Sequence, residues 1–350
     1  MIRRRISDLG LAALLPAIAT LATLIPAAQG STTPEQVVQL GAALTPSLSM
    51  DSGFFPPDQL PLNHIPTSLN RAVTASLRLQ LSGGHCSASM VSPDGYVITA
   101  GHCMESCLKQ AGQFKVESSK NPNYSIKEPS LQAPVNLKCS GMSLPALGAS
   151  NPQVVYIGRG FASFDDPKIL EIPDAVFKRM LNAEDDFAVL KFDLKTQATC
   201  IPVSFKPLLP GDATWVVGFP GNNTRPDGFG SNGRSEYVSY GNVEKDLSKN
   251  DYYLRNHFTG KQMDRLESFY GKSNQVISTT DHFPGNSGSM TINSQGELVA
   301  VHVAGAVPDS TEASDRFIDA SAIGTRFISI YAEMKTALGR AKMDQIFSCQ

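Results

Sequence analysis

The chain has no basic stripe and no acidic tail. Its 30 lysines and arginines nearly balance 32 aspartates and glutamates, leaving a formal net charge of −2. That balance excludes the electrostatic footprint of a nucleic-acid binder, and isolated pairs such as Lys178-Arg179 read as solvated surface. There is no Cys-x2-Cys pair either. His85, Cys86, His102, Cys103 and Cys107 lie close in sequence, but their spacings fit no common zinc module, so neither a metal nor another cofactor is expected. Internal repeats are absent, which excludes a solenoid or propeller built from them. Helix signals are scarce before Ile328, which argues against a helical bundle.

What is present begins with an export signal. Met1-Ile2-Arg3-Arg4-Arg5 is a basic start, Leu9 to Ile25 is mostly apolar, and Pro26-Ala27-Ala28-Gln29-Gly30 offers small residues for cleavage before Ser31. The stretch approaches the length of a membrane anchor, but no stop-transfer charges follow it, so residues 1–30 read as a removed signal peptide with no stable span afterwards. The expected location is secreted or periplasmic. All six cysteines, Cys86, Cys103, Cys107, Cys139, Cys200 and Cys349, follow the signal, and an even number outside the cytoplasm implies disulfides.

With 41% hydrophobic residues the chain can bury a substantial core. Residues 31–69 contain Pro and Ser with little periodicity and read as an N-terminal extension, either a propeptide or a strap across the domain that follows. From there short runs rich in β-branched residues alternate with Gly, Pro, Asn and Asp. They read as strands at Ala75–Leu81, Ser87–Val91, Tyr96–Thr99, Gln153–Ile157, Phe187–Phe192, Thr214–Gly218, Gln275–Thr279, Ser289–Asn293 and Leu298–Val303. A helix is expected over Ile328–Ile346. Residues 222–274 form a long insertion: a Gly- and Asn-rich loop, then a charged stretch with Tyr252, Tyr253, Phe258 and Phe269. It reads as a surface insertion or a lid near a cleft. The pattern is all-β with a terminal helix.

Three segments carry chemistry. Thr99-Ala100-Gly101-His102-Cys103 precedes Asp186-Phe187-Ala188-Val189-Leu190, and Phe283-Pro284-Gly285-Asn286-Ser287-Gly288-Ser289 follows both. A serine is a poor nucleophile unless an imidazole takes its proton and a carboxylate holds that imidazole in one tautomer. Each segment alone has an ordinary structural reading. Together, in the order His, Asp, Ser and each at a strand-to-turn boundary, they point to a serine hydrolase with Ser287 as nucleophile, His102 as base and Asp186 as orienting acid. Asp185 is the near neighbour of Asp186 and competes for that role. The N–H groups of Gly285 and Ser287 are the expected oxyanion hole.

These residues resemble the trypsin-like serine peptidases, in particular their bacterial secreted branch. Cys86-Ser-Ala-Ser-Met-Val-Ser-Pro-Asp-Gly-Tyr-Val-Ile-Thr-Ala-Gly-His-Cys103 is similar to that family's first catalytic hairpin, turning at Asp94-Gly95. Ile277-Ser278-Thr279-Thr280 and Gly285-Asn286-Ser287-Gly288-Ser289 are similar to the staphylococcal glutamyl endopeptidase type. The resemblance covers roughly residues 70–335. It implies two six-stranded antiparallel β-barrels with the site in the cleft between them, one protease domain over 70–350, a protein or peptide substrate, and a Cys86–Cys103 disulfide. Elimination and chain position would pair Cys107 with Cys139 and Cys200 with Cys349, although six cysteines leave those four open. No PDZ-type domain follows, which argues against an HtrA-like architecture. Asn286 stands where digestive enzymes carry an aspartate that pairs with a newly cut N-terminus, so that activation switch is not expected here.

For substrate choice the resemblance offers two signals. His302 matches a histidine that contacts an acidic P1 side chain in glutamyl endopeptidases, and Asp281 matches a pocket-floor position that selects Arg or Lys when acidic. A packed strand histidine and a turn aspartate are the plain structural alternatives. The reading favours a secreted serine endopeptidase leaning to acidic P1. A peptidase cleaving after Arg or Lys, an inactive protease-like binding protein and a serine esterase remain the alternatives. The sequence leaves the oligomeric state open.

Overall fold

The computed structural model describes residues 55–59, 68–112, 114–118, 124–129, 137–164, 166–183, 185–223, 231–232, 234–245, 259–271, 274–280, 284–305 and 322–349. In the first half the β-branched runs become β1 (Ser76–Leu81), β2 (Gly84–Met90), β3 (Tyr96–Thr99), β4 (Phe114–Ser118), β5 (Tyr124–Pro129), β6 (Leu137–Lys138), β7 (Ser143–Leu144), β8 (Ala149–Ser150), β9 (Gln153–Ile157), β10 (Phe161–Phe164) and β11 (Ala188–Lys191). The second half holds β12 (Ala213–Gly218), β13 (Asn222–Asn223), β14 (Ser231–Asn232), β15 (Tyr237–Glu244), β16 (Gln275–Ser278), β17 (Met290–Ile292), β18 (Leu298–Gly305) and β19 (Ala322–Arg326).

The two halves close differently. Strands β12-β15-β16-β19-β18-β17 form a closed six-stranded barrel, all antiparallel. The first half is an eight-stranded sheet in the order β6-β9-β11-β3-β2-β1-β7-β8, with β10-β5-β4 as a separate three-stranded sheet. Of the expected pair of barrels, the second is therefore closed and the first is open among the described residues. The Asp94-Gly95 turn joins β2 to β3 as expected, with Ser89 opposite Ile98 and Met90 opposite Val97. One continuous core fills both halves, from Leu79, Met90 and Ile98 through Trp215 and Val217 to Ile292 and Val301.

The described residues also hold six helices: α1 (Leu69–Ala75), α2 (Glu105–Gln110), α3 (Asp174–Ala183), α4 (Gly260–Tyr270), α5 (Phe327–Leu338) and α6 (Arg340–Ile346). The terminal helix expected over Ile328–Ile346 is two helices, broken at Gly339 (φ 76°). Helix α1 begins at Leu69, so the expected boundary at 69/70 falls within its first turn. Ahead of it, Phe55 exchanges both backbone hydrogen bonds with Val238 at 2.9 and 2.8 Å.

The long insertion contains an element that the composition concealed. Helix α4 starts in a capping box, where Thr259 and Gln262 satisfy each other's backbone N–H groups. Its Met263, Leu266 and Phe269 recur every three residues and are buried. They pack against Ile169, Ile172, Phe177 and Met180 around α3, forming a small second core with Ile126 and Ile277. Helix α3 leads into β11 and α4 leads into β16, so this clasp joins one helical insertion from each half. Tyr252, Tyr253 and Phe258 lie outside the described residues. No helix among the described residues is long and apolar enough to cross a membrane.

Candidate active site

His102 follows the buried strand β3, where the chain tightens into a short 3₁₀ turn over Gly101–Met104. Asp186 sits one residue before the buried run that becomes β11, which pairs with β3 (Ala188 opposite Thr99). This pairing brings the two side chains together although they are far apart in sequence. The Nδ1–H of His102 donates to Asp186 Oδ2 at 2.7 Å, and the His102 backbone N–H donates to Asp186 Oδ1 at 2.8 Å. Asp186 is 5% exposed while the imidazole side chain is 31% exposed. A buried carboxylate thus grips the Nδ1 edge of a partly exposed ring.

The serine turn is built by close packing. Gly285 (φ 101°) and Gly288 (φ 87°) occupy backbone angles that other residues rarely adopt. A Cβ on Gly288 would stand 2.1 Å from the Ser87 carbonyl oxygen and 2.2 Å from Thr99 Oγ1. The turn is therefore pressed onto the strand ends that lead to His102. Ser87 N–H donates to the Ser287 carbonyl at 2.8 Å, and Cys103 Sγ lies 3.9 Å from the same oxygen. The N–H groups of Gly285 and Ser287 find no acceptor among the described residues. Asn286 is buried: its Oδ1 accepts from the Ser289 hydroxyl at 3.4 Å, and its amide nitrogen has no partner among the described residues.

Two supports of this turn were not legible in the sequence. The Ser87 hydroxyl accepts from Phe219 N–H at 2.8 Å and donates to the Gly285 carbonyl at 2.9 Å, joining the first half to the serine loop. His85 lies against the same loop: its Nε2–H donates to the Phe219 carbonyl at 2.9 Å, which leaves Nδ1 to accept from the Arg78 guanidinium at 3.3 Å. Burial pushes the His85 imidazole below its usual pKa, the Arg78 charge adds to this, and the Phe219 hydrogen bond opposes it. The only sequence cue was their position beside Cys86.

Of the two specificity candidates, His302 is 1% exposed on β18. Its backbone N–H donates to Ser289 at 2.9 Å, and its carbonyl accepts from Gly288 at 2.8 Å, so it borders the serine turn. Asp281 lies outside the described residues. Three disulfides join Cys86 to Cys103, Cys107 to Cys139 and Cys200 to Cys349. The thiols of Cys86 and Cys103 are consequently not metal ligands, although their sulfurs cluster with His102. Arg71 of α1 reaches the third bridge, donating to the Cys200 carbonyl at 2.8 Å and to Cys349 Sγ at 3.0 Å.

A family model described as the trypsin-like peptidase domain matches residues 86–301. That span holds His102, Asp186, Gly285 and Ser287 and ends one residue before His302. No curated relative matches the chain. Among solved structures, the chain is similar to an HtrA-type protease, AlgW, with tripeptide, at 16% identity and TM-score 0.40, over 79% of this chain and 62% of that one. It therefore spans less than two thirds of AlgW. It is also similar to the inactive form of the Rv3671c protease of M. tuberculosis, at 12% identity and TM-score 0.42, over 81% and 98% of the two chains. A serine endoprotease from Yersinia pestis aligns at 15% identity and TM-score 0.36, over 81% of this chain and 68% of that one.

Proposed function

Because the chain belongs to the trypsin-like peptidases, and is a serine endopeptidase by that membership, we propose that His102, Asp186 and Ser287 are its catalytic triad. The observation that carries this reading is the double grip of Asp186 on His102, through the ring Nδ1–H and the backbone N–H. With Nδ1 protonated toward Asp186, Nε2 is the basic nitrogen. It takes the proton of the Ser287 hydroxyl as that oxygen attacks the scissile carbonyl, then gives it to the departing amine. Water hydrolyses the resulting acyl-enzyme by the same route. The uncommitted N–H groups of Gly285 and Ser287 receive the oxyanion, where one donor typically contributes about 2.7–4 kcal/mol.

The substrate is a polypeptide, and an acidic P1 residue is the favoured choice. Support comes from His302, whose backbone borders the serine turn and whose imidazole can donate to a carboxylate. Export fits the three disulfides, which persist in oxidising compartments. In this reading residues 1–30 are a cleaved signal, 31–69 an extension and 70–350 the protease domain. The Phe55–Val238 pairing supports a strap lying on the second barrel.

Fluorophosphonate labelling tests the nucleophile: wild type should be labelled and Ser287→Ala should not. Both Ser287→Ala and His102→Ala should lose most turnover, leaving at most about 10³–10⁴-fold catalysis over water. Near wild-type turnover in either variant would refute the assignment. Kinetics with Glu, Gln, Arg and Phe at P1 test specificity. Acidic cleavage should collapse in His302→Ala and survive in Asp281→Ala. Dominant cleavage after Arg or Lys, insensitive to His302, would replace the acidic reading.

A further inference from the structure

Directly behind Asp186 lies an ionic cluster, buried at Asp185 and half-exposed at Arg159, that acyl transfer does not use. Asp185 is 4% exposed. Its Oδ2 takes the Arg159 Nε–H and its Oδ1 the Asn274 amide N–H at 3.0 Å. Arg159 also faces Glu333 Oε2 of α5 at 3.6 Å, and the Tyr156 hydroxyl of β9 donates to Glu333 Oε1 at 2.7 Å. Tyr156, Arg159 and Asp185 belong to the first half, whereas Asn274 precedes β16 and Glu333 lies on α5 in the second. Consecutive extended residues project to opposite sides, so Asp186 faces His102 while Asp185 faces this cluster.

The backbone here is held as tightly as the side chains. Asp185 N–H donates to the Gly160 carbonyl at 3.0 Å, and Gly158 N–H donates to the Phe187 carbonyl at 2.9 Å. A Cβ on Gly158 would stand 1.9 Å from the Asp185 carbonyl oxygen, so only glycine allows this approach. The Tyr156 ring stacks on Phe187 at 5.6 Å. By contrast, the Asp186 carboxylate hydrogen-bonds only His102 among the described residues. Among the described residues, only its own backbone orients it from behind. A charge pair with one partner buried and the other half-exposed is also a poor source of net stability, because desolvation of the buried carboxylate offsets the attraction.

We propose that Asp185 is a positioning residue: tied to Arg159 and Asn274, it fixes the backbone from which Asp186 holds His102, and so makes that grip depend on docking of the second half. The inference rests on Asp186 being the triad acid. Asn274 is the direct link from Asp185 to the second half, and Arg159 is the countercharge beside its carboxylate.

Four variants of the full chain test it: Asp186→Asn, Asp185→Asn, Asn274→Ala, and Asp185→Asn combined with Arg159→Gln. The double variant removes the Asp185–Arg159 charges together, so neither is left without the other, and the thermal midpoint reports the cost at Glu333, which also loses Arg159. Each is read by kcat and KM separately, by thermal midpoint, and by the low-field proton resonance of the His102–Asp186 hydrogen bond. Asp186→Asn should lower kcat by about 10⁴-fold. Asp185→Asn and the double variant should lower it roughly 10- to 100-fold, and Asn274→Ala roughly threefold to tenfold. KM should stay unchanged, and the resonance should shift or broaden. If Asp186→Asn keeps its kcat, the triad reading falls and this inference with it. If Asp186→Asn is inactive while Asn274→Ala and the double variant keep both kcat and the resonance, even with a lower thermal midpoint, the cluster is merely structural and this inference alone is overturned.

Discussion

The two halves of this molecule solve the same problem by different means. The second barrel closes on itself, so each of its six strands has hydrogen-bonded neighbours on both sides, and residues 213–326 contain no cysteine. The first half leaves its eight-stranded sheet open and carries two disulfides, Cys86–Cys103 and Cys107–Cys139, while Cys200–Cys349 ties the connecting segment to the chain's end. Closure removes free edges and distributes order around a ring. An open sheet lacks that constraint, and covalent cross-links supply part of it by restricting the unfolded chain. The half that presents His102 is thus the stapled one, and the half that presents Ser287 is the closed one.

The strongest way to break this contrast is to remove a staple. Replacing Cys86 and Cys103 together by alanine opens a loop whose closure is worth about 3 kcal/mol in chain-entropy terms. The loss should fall on the first half. Trp215, the only tryptophan, lies in β12 of the barrel and reports from that half. Hydrogen exchange should accelerate in β1 to β3 at denaturant concentrations where Trp215 fluorescence is still native, and turnover should fall with the first half. If exchange rises equally in both halves, the disulfide stabilises the molecule as a whole and the contrast is wrong.

How much of this was legible depended on the distance over which each feature is decided. The runs Tyr96–Thr99 and Gln153–Ile157 are strands as read, because β-branched and aromatic residues between turn residues decide locally. His102, Asp186 and Ser287 stood out because the chemistry demands those residue types in a recognisable order. The alternation of extended backbone also separates Asp185 from Asp186, since only one of two neighbours can face the histidine. The α3–α4 clasp was not legible. With Lys261, Asp264, Arg265 and Glu267 among its eleven residues, α4 could be read as a charged surface segment around Phe269, and only the Thr259–Gln262 cap and the three-residue spacing of Met263, Leu266 and Phe269 mark a helix. That Met263 and Leu266 would meet Phe177 and Met180 is a long-range fact that no local pattern encodes. The same holds for Arg159 and Asn274, which reach Asp185 from separate parts of the chain.

That clasp offers a second test, aimed at the joint between the halves rather than at either one. Arg265 of α4 donates to the Ile172 carbonyl at 2.6 Å, pairs with Asp174 at 3.2 Å, and lies 4.3 Å from the Phe177 ring centre. Asp174 is fully exposed, so its ion pair contributes little. The carbonyl bond and the guanidinium over the ring carry most of the effect, and Arg265→Ala should cost about 1–3 kcal/mol. Unfolding monitored at Trp215 and by far-ultraviolet dichroism should then separate into two transitions. A single unaltered transition at the wild-type midpoint would show that the continuous core alone couples the halves. Arg265→Lys, which keeps the charge but loses the planar fork, should recover less than half of the loss.

The smallest effect is expected at the seam itself, and it depends on pH. Glu236 enters β15 of the barrel, with the Ser76 hydroxyl at the start of β1 beside it. Burial pushes its carboxyl up to about 8, and the Ser76 contact opposes that rise only in part. The neutral acid is therefore the form that the fold prefers. A folded pKa above the unfolded one means that the native state binds more protons between the two values, so stability falls as pH rises from about 4.5 to about 8. Glu236→Gln keeps the shape and removes the charge. It should match wild type near pH 4.5 and exceed it above pH 8 by on the order of 2 kcal/mol, since each pKa unit corresponds to about 1.4 kcal/mol and part of the carboxyl remains solvated. Urea midpoints at pH 4.5, 7 and 9 measure this directly. A difference between the two proteins that stays constant across that range would mean that Glu236 does not titrate through the seam, and that ionising it leaves the contact between sheet and barrel unchanged.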